Sequence, residues 1–251
     1  MNVKLLSGSN LKWLAIIAMF IDHFAAIILK NGFIMHAPYQ MFSDSQFAAL
    51  VGCYEMFHAI GRLAMPIFCF LLVEGFIHTS NKKRYLGRLL AFALLSEIPY
   101  DLAFGAGVLD FNQQNVLFTL FLGLLLLTIM QKLGNKALAL LLMVFTAVAA
   151  YYLNLDGSYY GIVTIFLFYA LRHNNLAKCL SVIAWQIAIS LFFQEPLLSW
   201  SALFAALAVV AVWFYSGKRG GGLKFFFYIF YPAHLLLLTI ITKFVIIPFC
   251  L

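Results

Sequence analysis

The hydrophobic positions of this chain neither alternate nor mark one face of a helix; they come in long runs. Nine runs are visible, at approximately Leu11–Leu29, Phe57–His78, Tyr85–Phe104, Asn115–Met130, Ala137–Leu153, Tyr159–Leu171, Leu176–Phe193, Leu198–Tyr215 and Phe225–Ile247. A helix of about 20 apolar residues, rising ~1.5 Å per residue, crosses a bilayer. Continuous runs rather than two-residue alternation exclude a membrane β-barrel. The pattern predicts an all-α, polytopic membrane helix bundle of about nine transmembrane spans, a single domain over residues 1–251.

The polar breaks sort by charge. One set carries Lys4, then Asn81-Lys82-Lys83-Arg84 with Arg88, then Lys132 and Lys136, Arg172 and Lys178, and Lys218, Arg219 and Lys224. The alternate set carries Asp44, Glu55, Asp101, Asp110, Asp156 and Glu195, with Lys30 and Lys243 as its exceptions. Cytoplasmic loops are enriched in Lys and Arg, so the N-terminus is expected inside and the C-terminus outside. The longest break, Lys30 to Met56, lies outside on this reading. It carries Tyr39, Phe42 and Phe47, and it has room for a short re-entrant or interfacial helix. Gly217–Gly222 (GKRGGG) reads as a flexible basic linker; its glycine spacing is not that of a phosphate loop.

Composition adds little except exclusions. The chain is 65% hydrophobic and 10% charged, which no soluble domain of this length resembles. Its net charge of +7 sits in alternate breaks, so it sets orientation and does not point to nucleic acid. The four cysteines (Cys53, Cys69, Cys179, Cys250) lack metal-ligand spacing and do not suggest a disulfide framework. No metal site is expected. The first run has no small-residue cleavage site after it and reads as a retained span.

Ionisable residues inside the runs are the informative ones, because a charge in lipid is costly unless it faces protein or water. The first run contains Lys12, Asp22 and His23. Lys12 and His23 are eleven residues apart, close to three turns, so they share a face ~16 Å apart along the axis. Asp22 points ~100° away, toward a different neighbour. Arg62, Pro66 and Glu74 lie in the second run, Glu97, Pro99 and Asp101 in the third, Asn115 opens the fourth, and Tyr231, Pro232 and His234 fall in the ninth. On the expected topology His23, Arg62, Glu97, Asp101 and Asn115 occupy the outer half. Glu74, His78 and the Lys82–Arg88 cluster lie at the cytoplasmic face. An imidazole beside a carboxylate in mid-membrane suits a general base. Bland readings stand beside this one: Arg62 with Glu97 or Asp101 as a structural ion pair, Tyr231 with His234 as a satisfied core pair, and the prolines as kinks. The fifth and eighth runs read as lipid-facing scaffold.

The stretches LKWLAIIAMFIDH (Leu11–His23), IGRLAMPIFCFLLVEGF (Ile60–Phe76), NKKRYLGRLL (Asn81–Leu90), SEIPYDLAF (Ser96–Phe104) and NVLFTLFLGLL (Asn115–Leu125) resemble the TraX family. The likeness continues more weakly through LDGSYYGI (Leu155–Ile162) and FYPAHLLLL (Phe230–Leu238). That family is associated with N-terminal acetylation of pilin and is similar to the transmembrane acyltransferases, which include the acyltransferase-3 and heparan-glucosaminide acetyltransferase groups. The acyltransferase-3 proteins place a basic residue, ten intervening residues and a functional histidine in the first span, and Lys12 and His23 fit that spacing. The Arg-rich cytoplasmic motif of the wider group has no counterpart here beyond Arg84 and Arg88.

The resemblance implies a CoA-dependent O- or N-acetyltransferase in the bacterial inner membrane. The donor is acetyl-CoA from the cytoplasm, and the acceptor is a pilin-like protein or a glycan presented outside among membrane lipids. Lys12, Lys82, Lys83, Arg84 and Arg88 would hold the donor's phosphates. His23 would act as base, Asp22 or Glu97 would orient it, and Arg62 or Asn115 would stabilise the oxyanion. Direct transfer and an acetyl-histidine intermediate both fit. A proton-coupled transporter of a small solute or lipid-linked molecule is the alternative, weakened by the lack of an internal repeat. A non-catalytic assembly protein ranks third.

Overall fold

In lipid a backbone must satisfy its N–H and C=O groups within its own segment, so each apolar run becomes a helix. A computed structural model describes residues 5–38, 41–105, 107–193, 199–221 and 224–250. Lys4, Tyr39, Glu195, Leu198 and Gly222 lie outside the described residues, as does the side chain of Lys224. The helices are α1 (Gly8–Phe24), α2 (Asp44–Gly61), α3 (Ala64–His78), α4 (Lys82–Phe104), α5 (Val116–Leu133), α6 (Lys136–Tyr152), α7 (Ser158–Ala170), α8 (Asn175–Phe192), α9 (Trp200–Trp213), α10 (Lys224–Ile241) and the short α11 (Ile247–Cys250). π-helical segments extend α1 over Ala25–Ile34 and join α10 to α11 over Thr242–Ile246.

Five of the helical columns are long and apolar enough to cross a membrane: Gly8–Ile34, Asp44–His78, Val116–Leu133, Asn175–Phe192 and Phe226–Cys250. Three more are apolar but shorter: Lys136–Tyr152, Ser158–Ala170 and Trp200–Trp213. α4 has the length, with 23 residues, but carries Lys82, Lys83, Arg84, Arg88, Glu97 and Asp101.

Three boundaries differ from the expected ones, each for a local reason. The expected span Phe57–His78 is broken at Arg62–Leu63. Pro66 has no N–H to give, and it sits in the first turn of α3, where none is needed. It marks a restart rather than a kink. The expected long loop before Met56 is largely helix, because Ser43 and Gln46 form a reciprocal capping box that starts α2 at Asp44. α4 begins three residues early, at Lys82, because the Asn81 side chain accepts from the Arg84 amide (2.9 Å). The expectation for the eighth run also changes. α9 exposes Leu203, Leu207 and Val210 but buries Ala205, Ala208, Val209 and Val212 against the bundle.

α1 and α3 stand at the centre, with α10, α4, α5, α7, α9 and α2 around them. One half of the core joins Leu11, Ile67, Phe70, Leu124, Phe168 and Val212. The other joins Ile16, Met19, Ile27, Tyr100, Tyr231 and Leu235 between α1, α4 and α10. Lipid is as apolar as these side chains, so association depends on close fit and small residues. Gly123 on α5 lies against Ile165 of α7, and Gly161 on α7 lies against Met65 and Thr119. The two π-helical segments pack on each other, with Gly32 against Ile246 and the Thr242 hydroxyl donating to the Ile27 carbonyl (3.2 Å).

Candidate functional site: a histidine pair above a basic cavity

α1 and α10 run side by side from the same end. Their contacts climb from Trp13 against Phe226 and Phe227, through Phe20 against Phe230, to His23 against Tyr231 and His234. Lys12 and His23 do share the α10-facing side, with Lys12 Nζ 5.4 Å from the centre of the Phe227 ring. His23 is buried in the last turn of α1, where the helix passes into its π-helical segment. Such segments occur frequently at functional sites.

His23 Nδ1 lies 2.6 Å from His234 Nε2, with the two rings stacked at 4.9 Å. His234 Nδ1 lies 2.7 Å from the Phe230 carbonyl oxygen. A carbonyl only accepts, so His234 Nδ1 carries the hydrogen and its Nε2 is the acceptor. His23 Nδ1 must then donate, and the lone pair of His23 is left on Nε2. Hydrogen bonding alone therefore assigns the tautomer a general base needs. The group beside His23 is a second histidine, not the carboxylate expected there.

The carboxylates face elsewhere. Asp22 points to α2, and His58 Nδ1 lies 2.6 Å from its Oδ1. Arg62 donates to His58 Nε2 (2.9 Å), so the expected Arg62 pair with Glu97 or Asp101 is replaced by an Arg62–His58–Asp22 chain. Glu97 accepts from the Asn115 side-chain amide, which also donates to the Ala93 carbonyl (2.9 Å). Both amide hydrogens of Asn115 are thus engaged. Its carbonyl oxygen caps α5 through the Leu117 amide (3.0 Å). One Asp101 oxygen accepts from the Asp110 amide (2.9 Å).

Two further residues join this centre, Asp156 from a loop that the runs did not single out and Tyr231 from α10. The loop between α6 and α7 dips inward: the Gln114 amide donates to Asn154 O (3.1 Å), and the Asp156 amide to Gln114 O (2.8 Å). This places the Asp156 carboxyl within electrostatic reach of Asp22, Arg62 and His58. Its pKa is pushed up to about 6, first by burial and then by Asp22, against the pull of Arg62. Tyr231 is buried with its rings' centre 6.1 Å from that of His23, and its hydroxyl has no partner among the described residues. The expected satisfied pair of Tyr231 and His234 is therefore not formed.

At the basic end a cavity of about 620 Å³ is lined by Lys12, Arg88 and Arg219, with Glu74 and the aromatic Tyr85 and Tyr228. Glu74 lies 3.5 Å from His78. Of the five expected phosphate-binding residues, Lys12 and Arg88 reach this cavity; Lys82, Lys83 and Arg84 do not line it. Lys82 bonds Gln131 and covers the Phe76 ring instead, while Lys83 and Arg84 are exposed. Arg219, read as part of a linker, lines the cavity in their place. Phe227 lines it too, and His234 lies seven residues, ~10 Å, further along α10. Among the described residues no cluster of His, Cys, Asp and Glu could hold a metal, and the four cysteines are free.

No solved structure matches the chain. A curated relative, the "Probable fimbrial assembly protein FimC, serogroup H1" of Dichelobacter nodosus, is 32% identical over 252 residues, which span 92% of this chain and 94% of that protein. The family model described as "TraX protein" matches residues 7–242, from the start of α1 through α10. With its paired histidines, its basic cavity and nearly its whole length inside that match, the chain belongs to the TraX family.

Proposed function

We propose that the protein is a transmembrane acyltransferase that moves an acetyl group from cytoplasmic acetyl-CoA to an acceptor on the opposite side. In this reading the nine helical columns are nine spans, the basic end is cytoplasmic, and the C-terminus lies outside, in the inner membrane. The observation that carries it is the His23–His234 pair: a buried imidazole with its tautomer assigned, two turns of α10 beyond a cavity lined by three cations. An assembly scaffold has no use for an oriented lone pair in mid-membrane.

The chemistry follows from the donors and acceptors present. The cavity's cations hold the phosphates, and the thioester reaches toward His23. His23 Nε2 takes the proton of the acceptor N–H or O–H as that atom attacks the thioester carbonyl. His23 Nδ1–H stays bonded to His234, which shares the imidazolium charge. The oxyanion needs a donor; Asn115 has both amide hydrogens engaged, and Arg62 is turned to His58 on the α2 side. The unpartnered Tyr231 hydroxyl fills that role. The carbon–sulfur bond breaks, and the proton passes to the thiolate as CoA leaves. The fimbrial name of the relative favours a pilus subunit as acceptor.

Acetyl-CoA binding and slow hydrolysis by purified wild type and His23→Ala test the reading. Hydrolysis lost in the variant, with binding kept, is the expected result. No binding by a folded wild type would overturn it; solute counterflow independent of CoA would then favour a transporter.

A further inference from the structure

One wall of the basic cavity is made by no helix. Residues 214–220 leave α9 and cross beneath the start of α1, bonded backbone to backbone to its first residue and to the two residues Leu5 and Leu6 that lead into it. The Leu5 and Leu6 amides donate to Phe214 O (3.0 and 3.1 Å), the Ser216 amide to Leu6 O (2.8 Å), and the Gly8 amide to Lys218 O (2.8 Å). Gly217 and Gly220 both have φ of +73°, in the left-handed region that glycine adopts without strain. The approach is close: a Cβ at Gly220 would sit 2.7 Å from Ser9 Cβ, and one at Gly8 would sit 3.1 Å from the Arg219 carbonyl oxygen. The glycine-rich stretch is therefore not a free linker. It is a strap pinned to the first turn of α1, and it fixes the backbone of an otherwise exposed arginine.

Arg219 meets Lys12 from α1 and Arg88 from α4 at the same cavity. Arg88 Nε is buried there with no partner among the described residues. Glu74, the carboxylate in the lining, is already beside His78 and Tyr215. Three cations from separate parts of the chain, one with an unsatisfied guanidinium N–H, suit a ligand bearing more than one phosphate.

We propose that Arg219 binds a phosphate of the donor and that the 214–220 strap is the clamp presenting it. The inference rests on the acyl-CoA reading and adds where the nucleotide end of the donor sits. Lys82, Lys83 and Arg84, though nearer a basic motif in sequence, are not part of the clamp.

Two donors separate the possibilities: acetyl-CoA, and acetyl-pantetheine, which has the same thioester and arm but no nucleotide phosphates. Arg219→Gln should raise KM for acetyl-CoA roughly ten- to hundredfold, with kcat and the use of acetyl-pantetheine unchanged. Gly8→Ala, which keeps the arginine but crowds the strap, should shift KM the same way by less. Unchanged kinetics with acetyl-CoA, or equal losses with both donors, would overturn the assignment. Binding of adenosine 3′,5′-bisphosphate, measured without turnover, tests the clamp separately. Arg219-dependent binding by a protein that consumes no thioester would remove the acyl-transfer reading and leave the clamp standing. No binding by wild type would remove the clamp.

Discussion

Replacing His234 by phenylalanine tests the central geometry. The ring is retained, so the stacking against Phe230 (4.8 Å between centres) can persist. What is lost is the acceptor for His23 Nδ1–H, a 2.6 Å contact. A buried donor left without a partner costs about 1–3 kcal/mol. His23 escapes that cost by changing tautomer, which takes the lone pair off Nε2, or by rotating, which turns Nε2 out of its position. Removing the group that orients a catalytic imidazole costs from about tenfold to 10⁴-fold in other sites, so kcat is expected to fall roughly 10²- to 10³-fold. KM for acetyl-CoA should stay within about twofold, because the cavity lies ~10 Å back along α10. The assay is acetyl-CoA turnover by detergent-purified protein, with His23→Ala and the double variant alongside. The histidines form one unit, so the double variant should be no worse than His23→Ala alone. A His234→Phe protein with near wild-type kcat, or losses that multiply in the double variant, would refute the dyad.

Asp156→Asn should remove a pH dependence of stability. The folded carboxyl sits at about 6, above its ordinary 3.8, so the unfolded chain gives up its proton first and stability falls as pH rises from about 4 to 6. The fall is at most about 3 kcal/mol, is flat above that window, and should be absent in thermal melts of the variant. Gly61→Ala should lower stability by about 1–3 kcal/mol, because its Cβ would enter the Asp22 side chain; an unchanged melting temperature would mean α2 can give way there. Cys53 is exposed on α2 while Cys69, Cys179 and Cys250 are buried, so an impermeant thiol reagent should label intact cells chiefly at Cys53. Labelling only after the cytoplasmic side is opened would invert the proposed orientation.

The helical class and most helix positions were legible because run length and apolarity carry them directly. His23 was legible for the same reason, as the ionisable group that a long apolar run could not accommodate without a partner. Its actual partner was not. His234 lies 211 residues away, and only the side-by-side course of α1 and α10 brings it within reach. His58 was hidden because it falls at the very start of the expected second run, and only the close approach of α2 to α1 at Gly61 brings it onto Asp22. Asp156 was hidden because a loop residue looks solvated until backbone bonds from Gln114 draw the loop inward. The basic residues misled in the opposite direction. Lys82, Lys83 and Arg84 occupy the first turn of α4, where cations oppose the helix dipole. Their density suggested a ligand site, while the cavity drew its cations from three separate parts of the chain.

The break between α2 and α3 has a consequence for access that an unbroken helix would not give. α1 presents two faces ~100° apart at one level, His23 toward α10 and Asp22 toward α2. The His23 face continues down α10 to the cavity at the basic end. The Asp22 face is closed by Gly61, whose missing side chain lets the end of α2 lie directly on the carboxylate. There Asp22 and His58 keep side-chain exposures of 27% and 34%, whereas His23 is buried. The α2 side is thus more open than the α10 side. For a reaction that joins a donor and an acceptor from opposite compartments, this is the required asymmetry. On the proposed acyl-transfer reading, the donor would arrive along the closed α10 face and the acceptor past the more open Asp22–His58–Arg62 chain. Chemistry would then be confined to the buried His23 imidazole between them. A transporter would instead need both faces to hydrate in turn, and the stacked His23–His234–Phe230 column would have to come apart in every cycle.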